Sequence, residues 1–133
     1  MCGIAGFCDF GGDRKKNIER MKDRIYHRGP DGGGSFFSED GHVTLGHRRL
    51  SIVDLSENGA QPMTSHSGRY VIAYNGEIYN YRQLSGKLIS QGHVKAFRGT
   101  SDTEVLLEAV ESWGVEKAVS QCKGMFAIAL YDQ

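Results

Sequence analysis

Met1-Cys2-Gly3-Ile4-Ala5-Gly6 is the stretch around which the rest of this sequence is organised. A small residue in second place favours removal of the initiator methionine, which would leave Cys2 with both a thiol and a free α-amino group. An α-amine titrates near about pH 8, so part of it is unprotonated at neutral pH and can accept the thiol proton directly or through a water. The glycines permit close backbone packing, and the apolar residues indicate a short strand that fixes the terminus in a core. Taken alone, the stretch is more typical of a frayed start with an accidental cysteine.

Composition favours one domain with no electrostatic preference for nucleic acid or membranes. The chain has 133 residues, of which 16 are basic and 16 acidic, so we expect a single domain over 1–133 and no nucleic-acid or membrane partner. No apolar run is long enough to cross a bilayer, and early charges such as Asp9 argue against a signal peptide. Cys2, Cys8 and Cys122 have no metal-binding spacing and do not pair off evenly, which favours a reduced, cytoplasmic setting without a bound metal.

Helical periodicity appears in three segments. The spacing of apolar residues predicts helices over 14–26, 80–91 and 102–113, with a shorter helical piece over 116–121. The third helix has the clearest start, because Ser101 and Glu104 stand in the positions of a capping box. Gly92 and Gly114 are expected to end the second and third helices.

Strands are predicted between and after these helices. Short apolar segments over 36–37, 43–45 and 47–53 indicate strands, with a flexible glycine turn at 31–34 and a polar surface loop over 54–68. The clearest strand, 70–74, runs into Asn75-Gly76, a strong hairpin signal, so 77–79 is the expected return strand. The run at 125–131 is apolar without alternation, which predicts a strand buried on both faces. Short strands joined by hairpin turns, with helices that do not alternate regularly with them, indicate fold class α+β with mainly antiparallel sheets.

Five motifs stand in a fixed order along the chain. They are MCGIAG at 1–6, HRGPD at 27–31, HRRLSIVD at 47–54, NGEIYN at 75–80 and SDTE at 101–104. Together they resemble the glutaminase domain of the class II glutamine amidotransferases, and more narrowly the asparagine synthetase branch. The resemblance covers almost the whole chain.

This resemblance implies an αββα sandwich of the N-terminal nucleophile hydrolase type. It also implies hydrolysis of L-glutamine to glutamate and ammonia through a thioester on Cys2. In such enzymes the ammonia passes to a synthetase domain, in cis or in trans, which uses ATP and Mg²⁺ to make aspartyl-adenylate. No cofactor is expected in this chain itself.

The catalytic roles that the resemblance implies fall on three residues. Cys2 matches the nucleophile, and Asn75 and Gly76 match the oxyanion hole. These roles agree with the chemistry, because acyl transfer builds negative charge on the carbonyl oxygen. A side-chain amide and a backbone N–H can stabilise that charge, and one such donor lowers the barrier by ~3 kcal/mol. Without Cys2 and the motif order, Asn75-Gly76 is more simply a hairpin turn.

The substrate-binding roles fall on five further residues. Arg49 matches the group that holds the substrate α-carboxylate, for which a bidentate guanidinium pair is suited. Asp102 matches the group that holds the α-ammonium, although an acid in the first turn of a helix is also favourable on its own. Glu77, with the backbone around Ile52 and Val53, matches the wall of the glutamine pocket.

Other cysteines and histidines are expected to be structural. The terminal amine already supplies a base, so His27 and His47 are expected to be hydrogen-bonded structural residues instead of partners of Cys2. Cys8 and Cys122 are expected to be core thiols.

The resemblance also leaves two departures. The chain stops soon after the strand at 125–131, and it has no synthetase domain, so we expect a glutaminase domain that is incomplete on its C-terminal side. We expect this strand to lack cover and the isolated chain to be poorly soluble or to form a homodimer through it. Two other functions stay open: a non-catalytic remnant used for protein contacts, and an N-terminal-nucleophile enzyme that acts on another amide.

Overall fold

The computed structural model describes residues 1–51 and 55–133, which form two antiparallel sheets and four α-helices. In chain order, the elements are β1 (Gly3–Cys8), α1 (Arg14–Arg24), β2 (Gly32–Phe37), β3 (Val43–Arg49), β4 (Met63–Thr64), β5 (Tyr70–Ile78), α2 (Tyr81–Ser90), α3 (Asp102–Trp113), α4 (Val115–Gln121) and β6 (Gly124–Asp132). Two short 3-10 turns, at Tyr26–Arg28 and Glu57–Gly59, complete the described elements.

The first sheet carries the N-terminus. Its strand order is β1-β3-β2, with Gly3 opposite Arg48 at the start of β1. Helix α1 begins after Asp13, whose side chain accepts a hydrogen bond from the backbone N–H of Lys16 at 3.0 Å. The helix packs closely on β3, because a Cβ at Gly46 would lie 2.8 Å from the side chain of Ile18.

The second sheet carries the larger core. Its strand order is β4-β5-β6, and β5 is buried over residues 70–74. Helix α3 lies on β5, and α2 and α4 pack against α3. The two sheets are in contact, and the ring of His47 on β3 is hydrogen-bonded to the carbonyl oxygen of Tyr74 on β5 at 3.0 Å. With α1 on one sheet and α3 on the other, the predicted α+β class with antiparallel sheets is confirmed.

The predicted hairpin at Asn75-Gly76 is wrong. β5 continues through both residues to Ile78 and pairs with β6 along its whole length, with Gly76 opposite Phe126. Glycine is required there for a tertiary reason, since an added Cβ would lie 2.3 Å from the carbonyl oxygen of Met125. Pairing with β6, which is distant in sequence, therefore determines the structure here in place of the local turn signal.

Three smaller expectations also differ from the structure. Residues 32–34 belong to β2 instead of a flexible turn, because they pair with β3. The segment 54–68 is not simply a surface loop: in its described part, 55–68, it contains β4 and the buried residues Gly59, Gln61 and Ser65. β6 is not buried on both faces, since Met125 is 71% exposed; its place at the edge of the described sheet agrees with the expectation that this strand lacks cover.

Two general expectations concern membranes and thiols. Within 1–51 and 55–133, no helix combines the length and apolarity needed to cross a membrane. Cys2, Cys8 and Cys122 are all free thiols, but Cys8 is exposed and so is not the core residue that was predicted. Cys122 is partly buried, and burial raises the pKa of its thiol.

Candidate active site

The thiol of Cys2 is held against the end of β3. Its Sγ lies 3.3 Å from the backbone nitrogen and 3.6 Å from the carbonyl oxygen of Leu50. The Cys2 carbonyl accepts a hydrogen bond from Nε of Arg28 at 3.0 Å. Pairing of β1 with β3 therefore fixes the residues that follow Cys2, while Arg28 fixes its backbone.

The HRGPD motif forms the support beneath this thiol. The backbone of Gly29 approaches β3 so closely that a Cβ would lie 2.5 Å from the carbonyl carbon of Arg48. Asp31 donates its backbone N–H to the Arg49 carbonyl at 3.0 Å and accepts the N–H of Ser51 at 2.9 Å. The motif thus orders the backbone from Arg48 to Ser51. The sequence marked this motif only as part of the family resemblance.

A cavity of about 130 Å³ opens beside Cys2. Six of the eight predicted site residues line it, namely Cys2, Arg49, Asn75, Gly76, Glu77 and Asp102. The other two, Ile52 and Val53, lie outside the described residues. Four chain segments distant in sequence therefore converge on one concave surface, which is typical of a small-molecule site.

Asp102 is fixed at the start of α3. Ser101 caps the helix, accepting the backbone N–H of Glu104 at 3.2 Å as predicted. Asp102 is only 7% exposed, and its Oδ2 accepts hydrogen bonds from the hydroxyl of Tyr74 at 2.7 Å and the N–H of Ile78 at 2.9 Å. A buried carboxylate with two donors on one oxygen has a defined orientation at the cavity wall.

Arg49 and Glu77 differ in exposure. Arg49 is half-buried, and its Nη1 donates to the carbonyl of Ser56 at 2.9 Å. Glu77 is exposed at the mouth of the cavity, next to the half-buried Gly76. A cation and two carboxylates thus line the same cavity as the thiol, which suits a ligand that carries both charges.

Gln61 and Thr103 also line this cavity, and neither was predicted to be a site residue. Gln61 is buried, accepts the N–H of Tyr74 on Oε1 at 2.6 Å and donates from Nε2 to the hydroxyl of Thr103 at 3.3 Å. No periodicity or motif marked Gln61, which lies in a segment that looked like a polar loop. The motif SDTE did mark Thr103, but only as part of a helix start.

Glu104 links the cap of α3 to the neighbouring loops. It is fully buried, and it accepts hydrogen bonds from the backbone N–H of Arg98 and Gly99 and from the ring of His66. Burial alone would raise the pKa of this carboxyl, but the hydrogen bonds outweigh it and the pKa lies below its usual value. The charged carboxylate therefore holds the segments around 66 and 98 against the first turn of α3.

The two histidines considered as bases prove to be different from each other. His47 is fully buried and its Nε2 is bonded to the Tyr74 carbonyl, which can only accept, so Nε2 carries the proton. Its Nδ1 has no partner among the described residues. Burial lowers the pKa of His47 to about 4. The predicted structural role is thus confirmed for His47, whereas His27 is exposed and no hydrogen bond of its ring is described.

His47 should make the fold sensitive to mild acid. Its pKa is lower in the folded state than the usual value of about 6.5, so the unfolded state binds more protons as the pH falls between these values, and stability is lost over that window. We expect the free energy of unfolding to fall by about 2 kcal/mol between about pH 7 and pH 5 through this group. His47→Gln, which keeps an amide donor, should remove that part of the loss in urea unfolding.

His42 provides the matched control for this measurement. It is exposed, and its hydrogen bond and ion pair with Asp9 raise the pKa of its ring, so its contribution has the opposite sign. His42→Gln should leave the acid loss intact or slightly steeper. An unchanged pH dependence in His47→Gln would contradict the prediction.

Comparison with known proteins identifies the family. A family model for the glutamine amidotransferase domain matches residues 1–133. The chain therefore belongs to the glutamine amidotransferase domain family, as its motifs indicated.

Within this family, the chain is similar to glutamine-hydrolysing asparagine synthetases. Glutamine-hydrolysing asparagine synthetase 3 of Bacillus subtilis is 42% identical over 138 residues, which cover 100% of this chain and 22% of the relative. The amidase chry2 of Gibberella zeae is 37% identical over 145 residues, covering 100% of this chain and 21% of the relative. The domain is thus homologous to the glutaminase part of asparagine synthetases, and it spans about a fifth of the length of these curated relatives.

A solved structure supports the fold independently. Glutamine phosphoribosylpyrophosphate amidotransferase from B. subtilis, complexed with ADP and GMP, matches with a TM-score of 0.78 at 20% identity. The match covers 97% of this chain and 35% of that one. At this identity the likeness shows the fold alone.

Proposed function

We propose that this domain hydrolyses L-glutamine to L-glutamate and ammonia through a thioester on Cys2. The observation that carries the proposal is the convergence of the Cys2 thiol, Arg49, the Asn75-Gly76 pair and Asp102 on one cavity. These residues supply a nucleophile, a cation, an amide pair and an anion. Hydrolysis of a free amino acid with a side-chain amide requires a nucleophile and an oxyanion hole for the amide, together with a cation and an anion that bind the two α groups.

The reaction follows from these groups. After removal of Met1, the α-amine of Cys2 accepts the thiol proton, and the thiolate attacks the side-chain carbonyl carbon of glutamine. The amide of Asn75 and the N–H of Gly76 stabilise the negative charge on the carbonyl oxygen. The protonated amine then gives its proton to the departing nitrogen, and ammonia leaves as the thioester forms. A water attacks the thioester, releasing glutamate and restoring the thiol.

Binding of the rest of the substrate requires its two charges to be met. In this proposal, Arg49 pairs with the α-carboxylate and Asp102 with the α-ammonium, while Glu77 and the backbone around Ile52 and Val53 close the pocket. The half-buried position of Arg49 and the burial of Asp102 strengthen both pairings relative to water.

The ammonia requires an acceptor domain. Because the relatives include glutamine-hydrolysing asparagine synthetases, we propose that a synthetase domain, in cis or in trans, consumes it in an ATP-dependent amidation. ATP and Mg²⁺ would then belong to that domain, and the glutaminase chemistry itself would need neither. A cytoplasmic setting, where glutamine and ATP are available, fits this role.

An electrophilic analogue of glutamine tests the proposal directly. We expect the mature protein to gain one analogue mass on Cys2, located by peptide mass spectrometry, because the thiolate lies in the cavity that binds glutamine. L-Glutamine should protect Cys2, and Cys8, which is exposed, serves as an internal control for non-specific labelling. A folded protein in which Cys2 stays unmodified would favour the non-catalytic alternative. Faster hydrolysis of asparagine or a peptide amide than of glutamine would favour the other amidohydrolase.

A further inference from the structure

The hydroxyl group of Tyr74 is attached to the carboxylate of Asp102. The two residues come from β5 and α3, and the phenolic oxygen lies 2.7 Å from Oδ2 of Asp102. The same Oδ2 accepts the N–H of Ile78 at 2.9 Å. Both hydrogen bonds described for this carboxylate therefore fall on one oxygen atom.

Tyr74 is itself held at three points. Its N–H donates to Gln61 at 2.6 Å, its carbonyl accepts from His47 at 3.0 Å, and its ring is stacked with Phe126 at 6.4 Å between centroids. The side chain is only 3% exposed. Burial and the neighbouring Asp102 carboxylate raise the pKa of the Tyr74 hydroxyl far above its usual value. The hydroxyl therefore stays protonated and remains a donor throughout the working pH range.

We propose that Tyr74 is a positioning residue that sets the orientation of Asp102 for recognition of the substrate α-ammonium. This inference rests on the proposed function and extends it to a residue with no direct role in the chemistry. With Oδ2 occupied by two donors, Oδ1 is the oxygen left to pair with a cationic amine. Because Tyr74 immediately precedes Asn75, one residue links the ammonium site to the oxyanion hole.

This role differs from a purely structural one in what it predicts for the substrate. A hydrogen bond that only stabilised the fold would affect every ligand of the cavity alike. A hydrogen bond that orients Asp102 matters only to ligands with an α-amino group. The substrate itself can therefore be varied together with the protein, as in a double-mutant cycle.

The test compares L-glutamine with 4-carbamoylbutanoate, which is glutamine without its α-amino group. In the mature protein we expect Tyr74→Phe to raise KM for L-glutamine about tenfold, since hydrogen bonds to charged groups have this order of effect. The inhibition constant for 4-carbamoylbutanoate should stay within about twofold of the parent value, and kcat for L-glutamine should change little.

Tyr70→Phe is the matched control. Tyr70 lies on the same strand, is 8% exposed and has no described hydrogen bond through its hydroxyl. Its variant should leave both constants unchanged. If Tyr74→Phe weakens the two ligands equally, Tyr74 is structural and the inference is overturned. If the parent protein does not hydrolyse L-glutamine at all, the proposed function fails instead.

A fluorine label covers the case in which Tyr74→Phe does not fold. Site-specific 3-fluorotyrosine at position 74 keeps the hydroxyl and supplies a signal for nuclear magnetic resonance. L-Glutamate, which carries both α groups, should shift this signal, whereas glutarate, which lacks the amine, should not. Equal shifts with both ligands would overturn the inference.

Discussion

An extra residue retained before Cys2 is expected to abolish glutamine hydrolysis. Acylation of the Cys2 nitrogen converts a basic amine into an amide, which cannot accept the thiol proton. General-base catalysis is typically worth about 10²–10⁴ in rate, so the loss should fall in this range or beyond it. The structure adds a steric reason, because Met1 lies at the cavity that would bind glutamine. Glutamine hydrolysis by an N-terminally extended protein, compared with the mature one, gives the measurement.

The control for this prediction is an extension of equal length at the C-terminus, which should leave activity intact. Proteolytic removal of the N-terminal extension, leaving Cys2 first, should restore the rate. Full activity in the uncleaved protein would show that the base lies elsewhere. His27 would then be the histidine to reconsider, because His47 is buried and already bonded to Tyr74.

The fold was predictable where the signal was local. The periodicity of α1 and the capping residue Ser101 gave helix positions that the structure reproduces within about two residues, because caps and apolar faces are set by near neighbours. The hairpin at Asn75-Gly76 failed for the opposite reason. Gly76 is required because β6, a strand some fifty positions later in the chain, packs against it. No local sequence pattern reveals that contact.

The site shows the same division. Motif order pointed to the residues that line the cavity, including Cys2 and Asp102. It did not point to Gln61 or Tyr74, since each acts through a hydrogen bond to a residue on another element. Such hydrogen bonds depend on how β5 and α3 pack together. Because the partners are far apart in sequence, no periodic pattern of residues predicts them.

Asn75→Ala and Asp102→Asn should have contrasting kinetic effects. The amide of Asn75 meets charge that develops only in the transition state. Its loss should lower kcat about 10²–10³-fold and leave KM nearly unchanged. Asn75 is half-buried and no hydrogen bond of its side chain is described, so truncation should cost the fold little.

Asp102 meets a charge that the substrate carries throughout the reaction. Asp102→Asn is preferable to Asp102→Ala, because an amide oxygen can still accept from Tyr74 and Ile78 and the start of α3 is kept. Loss of the negative charge should raise KM for L-glutamine roughly 10–100-fold, since hydrogen bonds to charged groups contribute about 1.5–3 kcal/mol, while kcat falls less. Steady-state kinetics of both variants, with circular dichroism to verify folding, would decide the assignment. A change confined to KM in Asn75→Ala would contradict the assignment of Asn75 to the oxyanion hole. A change confined to kcat in Asp102→Asn would indicate that Asp102 acts at the reacting amide and not at the α-ammonium.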